Sequence, residues 1–387
     1  MAEKPPISKI LNSIKRDPDY ASGHHGTDHK VYKPIDCGLG SSPFGYPEEV
    51  DLALKQISPN LLNEYPADPY SRGLAGLVRE RFGLRKSTSI FFGGTGSYGL
   101  LASLLSDVVC VEAIAKGVEV VGVGPQFTNI SMLSRRAQIP YHHIAPKIDL
   151  PYEEKIDLLI RRRAKATSPA IVYVDNPNNP TGDAVNMDTL YKLTEATAGR
   201  DLLIIDEAYG DALPDVSSAF RLADQFEHVV ALRSLSKTVG LASPRLGYMA
   251  MSGLTAEAYK NLELIFSLDT VTNMIGRAAL EPAVLARFLP QVRQMTASAK
   301  LNFVRVLNDH GVKTFDSHPS VSILLARAGQ DFFNNLLQVG IQTENGQTFK
   351  PTHPDMTNRY VRFRIPACEQ EAEEIGRRID DINSKSV

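Results

Sequence analysis

Between about Ser89 and Met251 the chain alternates short apolar, β-branched runs with polar or glycine-bearing turns and longer mixed stretches of helical spacing. The runs read SIFFGG, VEVVGVGP, AIVYVDNP, LLIIDEAY, HVVALRSLSK and RLGYMAM. Each is nearly continuous in hydrophobicity, the pattern of strands buried on both faces, so the expected architecture is α/β, a parallel sheet between helices. Ligands of such sheets gather where the strands end, which directs attention to the residues closing each run. From about Leu280 the pattern changes to helices around shorter strands, SVSILLARA and RYVRFRIP, as expected of a smaller α+β domain. The first 45 or so residues are irregular and are expected to pack on that domain. The expected division is therefore an N-terminal segment 1–45, a large domain 46–275 and a small C-terminal domain 276–387.

Composition narrows the function. The 42 basic and 44 acidic residues leave a formal charge of −2, too weak a field to favour nucleic acid or a membrane surface, so small-molecule partners are expected. Cys37, Cys110 and Cys368 are an odd, scattered set that suits reduced thiols rather than a disulfide framework. No apolar segment with a small-residue cleavage site opens the chain. The stretch GLLASLLSDVVCVEAIAKG is broken by Asp107, Glu112 and Lys116, so a soluble, cytoplasmic protein is expected. The run Arg161, Arg162, Arg163 with Lys165 reads as a solvated helix face. His24, His25 and His29 lack a fixed ligand face, and no metal is expected there.

Three successive run ends concentrate the polar chemistry: NPNNPTG from Asn176 to Gly182, IIDEAYGD from Ile204 to Asp211, and SLSKTVGLASPRLGY from Ser234 to Tyr248. Asp206 closes an apolar run, where a buried carboxylate needs a cationic or protonated partner such as a pyridinium nitrogen. Lys237, if desolvated near other cations, has the chemistry to form a Schiff base. Arg245 offers a bidentate fork for a phosphate. Upstream, FFGGTGSYGLLASLL reads as strand, glycine turn and helix, which sets the backbone N–H groups near Gly96, Ser97 and Tyr98 at a helix N-terminus suited to phosphate.

Taken together these motifs resemble the fold type I pyridoxal 5'-phosphate (PLP) enzymes, specifically the class I/II aminotransferases, with the histidinol-phosphate aminotransferase branch as the nearest pattern over almost the whole chain. The resemblance implies an aspartate aminotransferase-like fold, with a mainly parallel seven-stranded sheet in the large PLP-binding domain. It also implies that Lys237 carries the Schiff base and shuttles the proton, that Asp206 pairs with the pyridine nitrogen, and that Asn179 and Tyr209 bond the ring's 3-oxygen. Ser234, Ser236 and Arg245 would hold the phosphate with the Gly96–Tyr98 turn. Phe127 in GPQFTNIS matches the aromatic that stacks on the ring, and it also reads as a core phenylalanine. Tyr65, in LLNEYPADPYSRG, matches a tyrosine that reaches the neighbouring subunit's cofactor phosphate, which implies a homodimer with composite sites; it also reads as an ordinary turn residue. The segment DCGLGSSPFGY resembles a substrate-covering loop, with Gly40 to Ser42 near the ligand. Arg362 in NRYVRFRIP matches the arginine for the substrate carboxylate, with Arg364 as its alternate and Pro366 where the family usually has glycine.

One departure bears on the substrate. Where histidinol-phosphate aminotransferases carry a second arginine for the substrate phosphate, this chain reads VGIQTENGQTF and places Glu344 or a neighbour. A carboxylate there would repel a phosphate dianion and favour a cationic side chain such as guanidinium. Glu344 followed by Asn345 and Gly346 also reads as an exposed turn. The expected activity is transamination of an amino acid with a free α-carboxylate. The alternative is a PLP-dependent lyase or cyclase on a basic amino acid, eliminating, cyclising or decarboxylating with the same lysine.

Overall fold

The computed structural model describes residues 32–109 and 116–385. Its strands in chain order are β1 (Ile35–Asp36), β2 (Ser89–Gly93), β3 (Glu119–Val123), β4 (Tyr141–Ile144), β5 (Ala170–Asp175), β6 (Leu202–Glu207) and β7 (Val229–Ser234). They continue with β8 (Gly247–Met251), β9 (Lys313–Thr314), β10 (Ile323–Arg327), β11 (Ile341–Gln342), β12 (Glu344–Asn345) and β13 (Tyr360–Arg364). A seven-stranded sheet has the order β2-β8-β7-β6-β5-β3-β4. Its strands β3 to β7 pair in parallel. The fold is the expected aspartate aminotransferase-like α/β architecture, with two differences of detail.

First, β8 runs antiparallel to both β7 and β2. The connection 235–246 contains no helix, so the chain returns beside β7 without a crossover, and its apolar run alone did not reveal the direction. Second, β4 at the sheet edge has the sequence YHHI and is only partly buried, so it lacked the continuous apolar run that marked its neighbours.

Successive residues of the central strands serve opposite faces, as strand geometry requires. Val172, Val174, Leu203 and Ile205 enter one core cluster. Ile171, Tyr173 and Ile204 enter the cluster on the other side. With both faces covered, polar groups of these strands reach open space only at their ends.

A four-stranded antiparallel sheet, β12-β13-β10-β9, builds the smaller unit, and β1 pairs with β11 beside it. The described part of the N-terminal segment is thus held against the C-terminal portion of the chain. The helix Pro282–Asp309 serves both units, with Leu285 and Leu289 in the large core and Phe303, Val306 and Leu307 in the small one. The expected border at 275/276 falls inside the helix Thr270–Leu280, whose Ile275, Ala279 and Leu280 belong to the large core.

The arginine run on the helix Tyr152–Ala164 is not uniformly solvated. Arg161 and Arg162 are exposed, but Arg163 is buried and pairs with Asp201 at 2.7 Å. Residues His24, His25, His29 and Cys110 lie outside the described residues. Among the described residues no cluster of His, Cys, Asp and Glu could hold a metal, and no helix is long and apolar enough to cross a membrane.

Candidate active site

A cavity of about 200 Å³ opens at the carboxyl ends of β5, β6 and β7. The parallel register sets Asp175 of β5 beside Asp206 of β6, so two carboxylates emerge together from the apolar sheet. Asp206 accepts from the Tyr173 hydroxyl at 3.0 Å and from the Ala208 N–H at 2.9 Å. Burial outweighs these bonds and pushes its carboxyl up to about 6. Without a direct cationic hydrogen-bond donor in either contact, Asp206 is poised to accept a protonated ring nitrogen.

Asp175 was not singled out in the sequence, although it closes its apolar run as Asp206 does. Its Oδ2 accepts from the backbone N–H groups of both Phe127 and Asn179 at 2.9 Å, and its Oδ1 from Asn178 Nδ2 at 3.0 Å. Burial pushes it up to about 7. One carboxylate therefore fixes the loop that presents an aromatic wall, Phe127, and the loop that presents an amide, Asn179. Tyr173 was missed as well, because its role depends on a register between strands that the sequence does not display.

Lys237, Tyr209 and Asn179 also line the cavity, with Lys237 Nζ 5.3 Å from the centre of the Tyr209 ring. The Tyr209 hydroxyl is buried without a hydrogen-bond partner and lies at Gly40, where an added Cβ would approach it to 2.0 Å. Ser42 donates its N–H to the Lys237 carbonyl at 3.2 Å, bringing the Gly40–Ser42 loop against the lysine segment. Two other lysines are buried with lowered pKa values, Lys300 to about 7 and Lys155 to about 8, each chiefly by desolvation. Neither lines the cavity. Lys300 instead donates to Ser317 Oγ and to the carbonyls of His318 and Ile323.

The far end of the cavity has the chemistry of an anion cradle. The helix Gly96–Ser103 begins there on a glycine at φ +75°; the Gly96 N–H donates to the Arg245 carbonyl at 2.6 Å, while the Ser97 and Tyr98 N–H groups lack intrahelical acceptors. Gly247 of β8 lets this helix start lie against the strand, since a Cβ at Gly247 would sit 2.2 Å from the Ser97 nitrogen. Arg245 donates to Ser236 Oγ at 3.2 Å, and Ser97, Tyr98, Ser234, Ser236 and Arg245 all line the cavity.

Arg362 is fully buried. It donates from Nη1 to Asn179 Oδ1 at 3.0 Å and from Nη2 to the Gly38 carbonyl at 2.6 Å. Its guanidinium thereby adjoins the cavity through Asn179, whereas Arg364 turns to the Asp36 carbonyl. Glu344 is not on an exposed turn. It is buried in β12, cross-strand from Arg362, with Oε2 3.8 Å from Arg362 Nη2. Tyr65 is not brought to this cavity: it is 82% exposed and stacks on Phe266 with ring centres 4.8 Å apart.

An anion cradle, an aromatic wall, a buried carboxylate and a lysine around one cavity define an enzyme that holds a phosphorylated heteroaromatic aldehyde and performs amine chemistry on it. The residues present fit PLP. The orphaned Tyr209 hydroxyl leaves a buried donor in the cavity wall for a ring oxygen, and the glycine-built helix start suits the phosphate. The model for the aminotransferase class I and II family matches residues 35–379, and the chain belongs to that family. It is a PLP-dependent aminotransferase.

Among curated relatives, a histidinol-phosphate aminotransferase of Caldanaerobacter subterraneus subsp. tengcongensis is 28% identical over 88% of this chain and 92% of its own length. An aromatic amino acid aminotransferase of Thermobifida fusca is 30% identical over 75% of this chain and 77% of its own. The crystal structure of a histidinol-phosphate aminotransferase from Sinorhizobium meliloti in complex with PLP superposes with a TM-score of 0.74 at 20% identity, covering both chains completely.

Proposed function

We propose that Lys237 is the residue through which this aminotransferase holds PLP and moves the proton. The carrying observation is the convergence of Ser97, Phe127, Asn179, Asp206, Lys237 and Arg245, which are distant in sequence, on one cavity. PLP, when bound, supplies the electron sink for bond cleavage at the substrate's α-carbon. Asp206 holds the ring nitrogen protonated, Asn179 and Tyr209 hold the 3-oxygen, and Phe127 covers a ring face. The Gly96–Tyr98 turn, Ser234, Ser236 and Arg245 hold the phosphate. Arg362 binds the α-carboxylate, with Asn179 and the Gly38 carbonyl fixing its orientation, and Ser42 closes over the site. Lys237 Nζ, in the cavity wall, would take the α-proton of the bound amino acid and hold it for return during the transfer. The donor would leave as its 2-oxo acid with its carbonyl oxygen from water, and a second 2-oxo acid would receive the nitrogen, carried between the two half-reactions on PLP.

The protein works as a homodimer on this reading. Tyr65 stands outward, stacked on the exposed Phe266, a pair suited to burial against a second copy in which Tyr65 reaches the partner's phosphate cradle. Borohydride reduction of the PLP-loaded protein followed by peptide mass mapping tests the central assignment. The cofactor mass is expected on Lys237; its appearance on Lys300 or Lys155, the two buried lysines with lowered pKa values, overturns it.

A further inference from the structure

The charge on the substrate side of the cavity points to the class of amino acid the enzyme takes. Glu344 is 1% exposed, and neither of its carboxylate oxygens has a hydrogen-bond partner. Buried carboxylates ordinarily accept several hydrogen bonds, so this one is set up for a group that arrives with the substrate. Its contact with Arg362, at 3.8 Å, is Coulombic and too long for a hydrogen bond. Cross-strand partners of an antiparallel pair project from the same face, so Glu344 projects with Arg362, whose guanidinium bonds Asn179 in the cavity wall. The Tyr209 hydroxyl in the cavity wall responds to both charges, being lowered by Arg362 and raised by Glu344 within a larger rise from burial.

The charge sum then decides the substrate. Arg362 and Glu344 together are neutral. An α-carboxylate bound at Arg362 brings that buried group to −1, and a phosphate dianion would bring it to −2. The cationic side chains that line the cavity, Lys237 and Arg245, belong to the cofactor end. A side chain ending in a cation restores neutrality and supplies the N–H donors that Glu344 lacks.

We propose that the substrate is an amino acid with a cationic side chain, ammonium or guanidinium, and that Glu344 is its specificity-determining partner. This rests on the aminotransferase reading with Arg362 at the α-carboxylate. The test measures equilibrium binding by calorimetry for ornithine, lysine, arginine, norleucine, glutamate and histidinol phosphate, and 2-oxo acid release by PLP-loaded enzyme for the five amino acids among them. Wild-type enzyme is expected to bind at least one cationic amino acid ten-fold or more tightly than norleucine, glutamate or histidinol phosphate. Glu344→Gln should reduce that preference, read as the ratio of cationic amino acid to norleucine affinity, at least ten-fold. Equal or weaker binding of all the cationic amino acids by wild type overturns the inference, and this comparison needs no variant to fold. Full preference retained in a folded Glu344→Gln protein overturns it as well. Failure of the underlying reading looks different: no amino acid of any charge releases a 2-oxo acid, whichever binds best.

Discussion

Replacing Asp206 with Asn should move stability and cofactor binding in opposite directions. In the cofactor-free protein, burial raises this carboxyl from an ordinary value of 3.8 to about 6. At about 1.36 kcal/mol per pH unit, the ionised group costs the fold about 3 kcal/mol above pH 6. The sign follows from proton binding: the folded state holds the extra proton between pH 4 and 6, so stability falls as pH rises through that window. An asparagine carries no charge to desolvate. It still accepts from the Ala208 N–H, and its amide can donate to the Tyr173 oxygen, at a loss of about 1 kcal/mol in hydrogen-bond quality. The cofactor-free variant should therefore gain about 2 kcal/mol at pH 8, a rise of about 3 °C in unfolding midpoint for a chain of this size, and gain nothing at pH 4.5. PLP affinity should fall ten-fold or more, because a charge-assisted bond to the ring nitrogen, worth about 1.5–3 kcal/mol, becomes a neutral one. Differential scanning fluorimetry at both pH values and equilibrium dialysis of PLP read the two effects. A variant less stable than wild type at pH 8, or one binding PLP unchanged, refutes the reasoning.

Other perturbations follow from the same geometry. Gly247→Ala places a Cβ 2.2 Å from the Ser97 nitrogen, so the helix start must shift; a loss of about 1–3 kcal/mol in thermal stability and a ten-fold or larger rise in the PLP dissociation constant are expected. Asp175→Ala strips the acceptor from the Phe127 and Asn179 N–H groups and should weaken PLP binding, whereas Asp175→Asn, which keeps one oxygen for both, should retain most of it; dialysis compares the two. Mixing inactive Tyr65→Ala and Lys237→Ala proteins through mild subunit exchange should recover about a quarter of wild-type activity, because half of the dimers then contain one complete composite site. Activity in Tyr65→Ala alone removes Tyr65 from the chemistry, and no recovery from two inactive proteins places it in its own subunit's site.

The strand runs announced most of the large sheet because burial on both faces forces near-continuous apolar sequence. The same logic was silent at β4, whose edge position tolerates Tyr141, His142 and His143, and at β8, whose direction is set by a helix-free connection. At the site, Asp206, Lys237 and Arg245 were legible because each is a charged residue at an apolar run's end or in a glycine-bearing turn after it. Asp175 met the same criterion and was passed over, since its work is done through backbone N–H groups that only the folded loops bring to it. The choice between Arg362 and Arg364 could not be read from spacing, because residues two apart share a strand face. The Asn179 and Gly38 contacts distinguish them. Glu344 was ambiguous for a similar reason. Its turn-like neighbours suggested exposure, and only pairing of β12 with β13 buries it against Arg362.

The most direct measurement follows 2-oxo acid release when PLP-loaded enzyme meets an amino acid panel with no 2-oxo acid acceptor added. An aminotransferase releases one equivalent per subunit, stops, and resumes when an acceptor is supplied. Continued turnover without an acceptor would contradict the account and assign the site to elimination, cyclisation or decarboxylation.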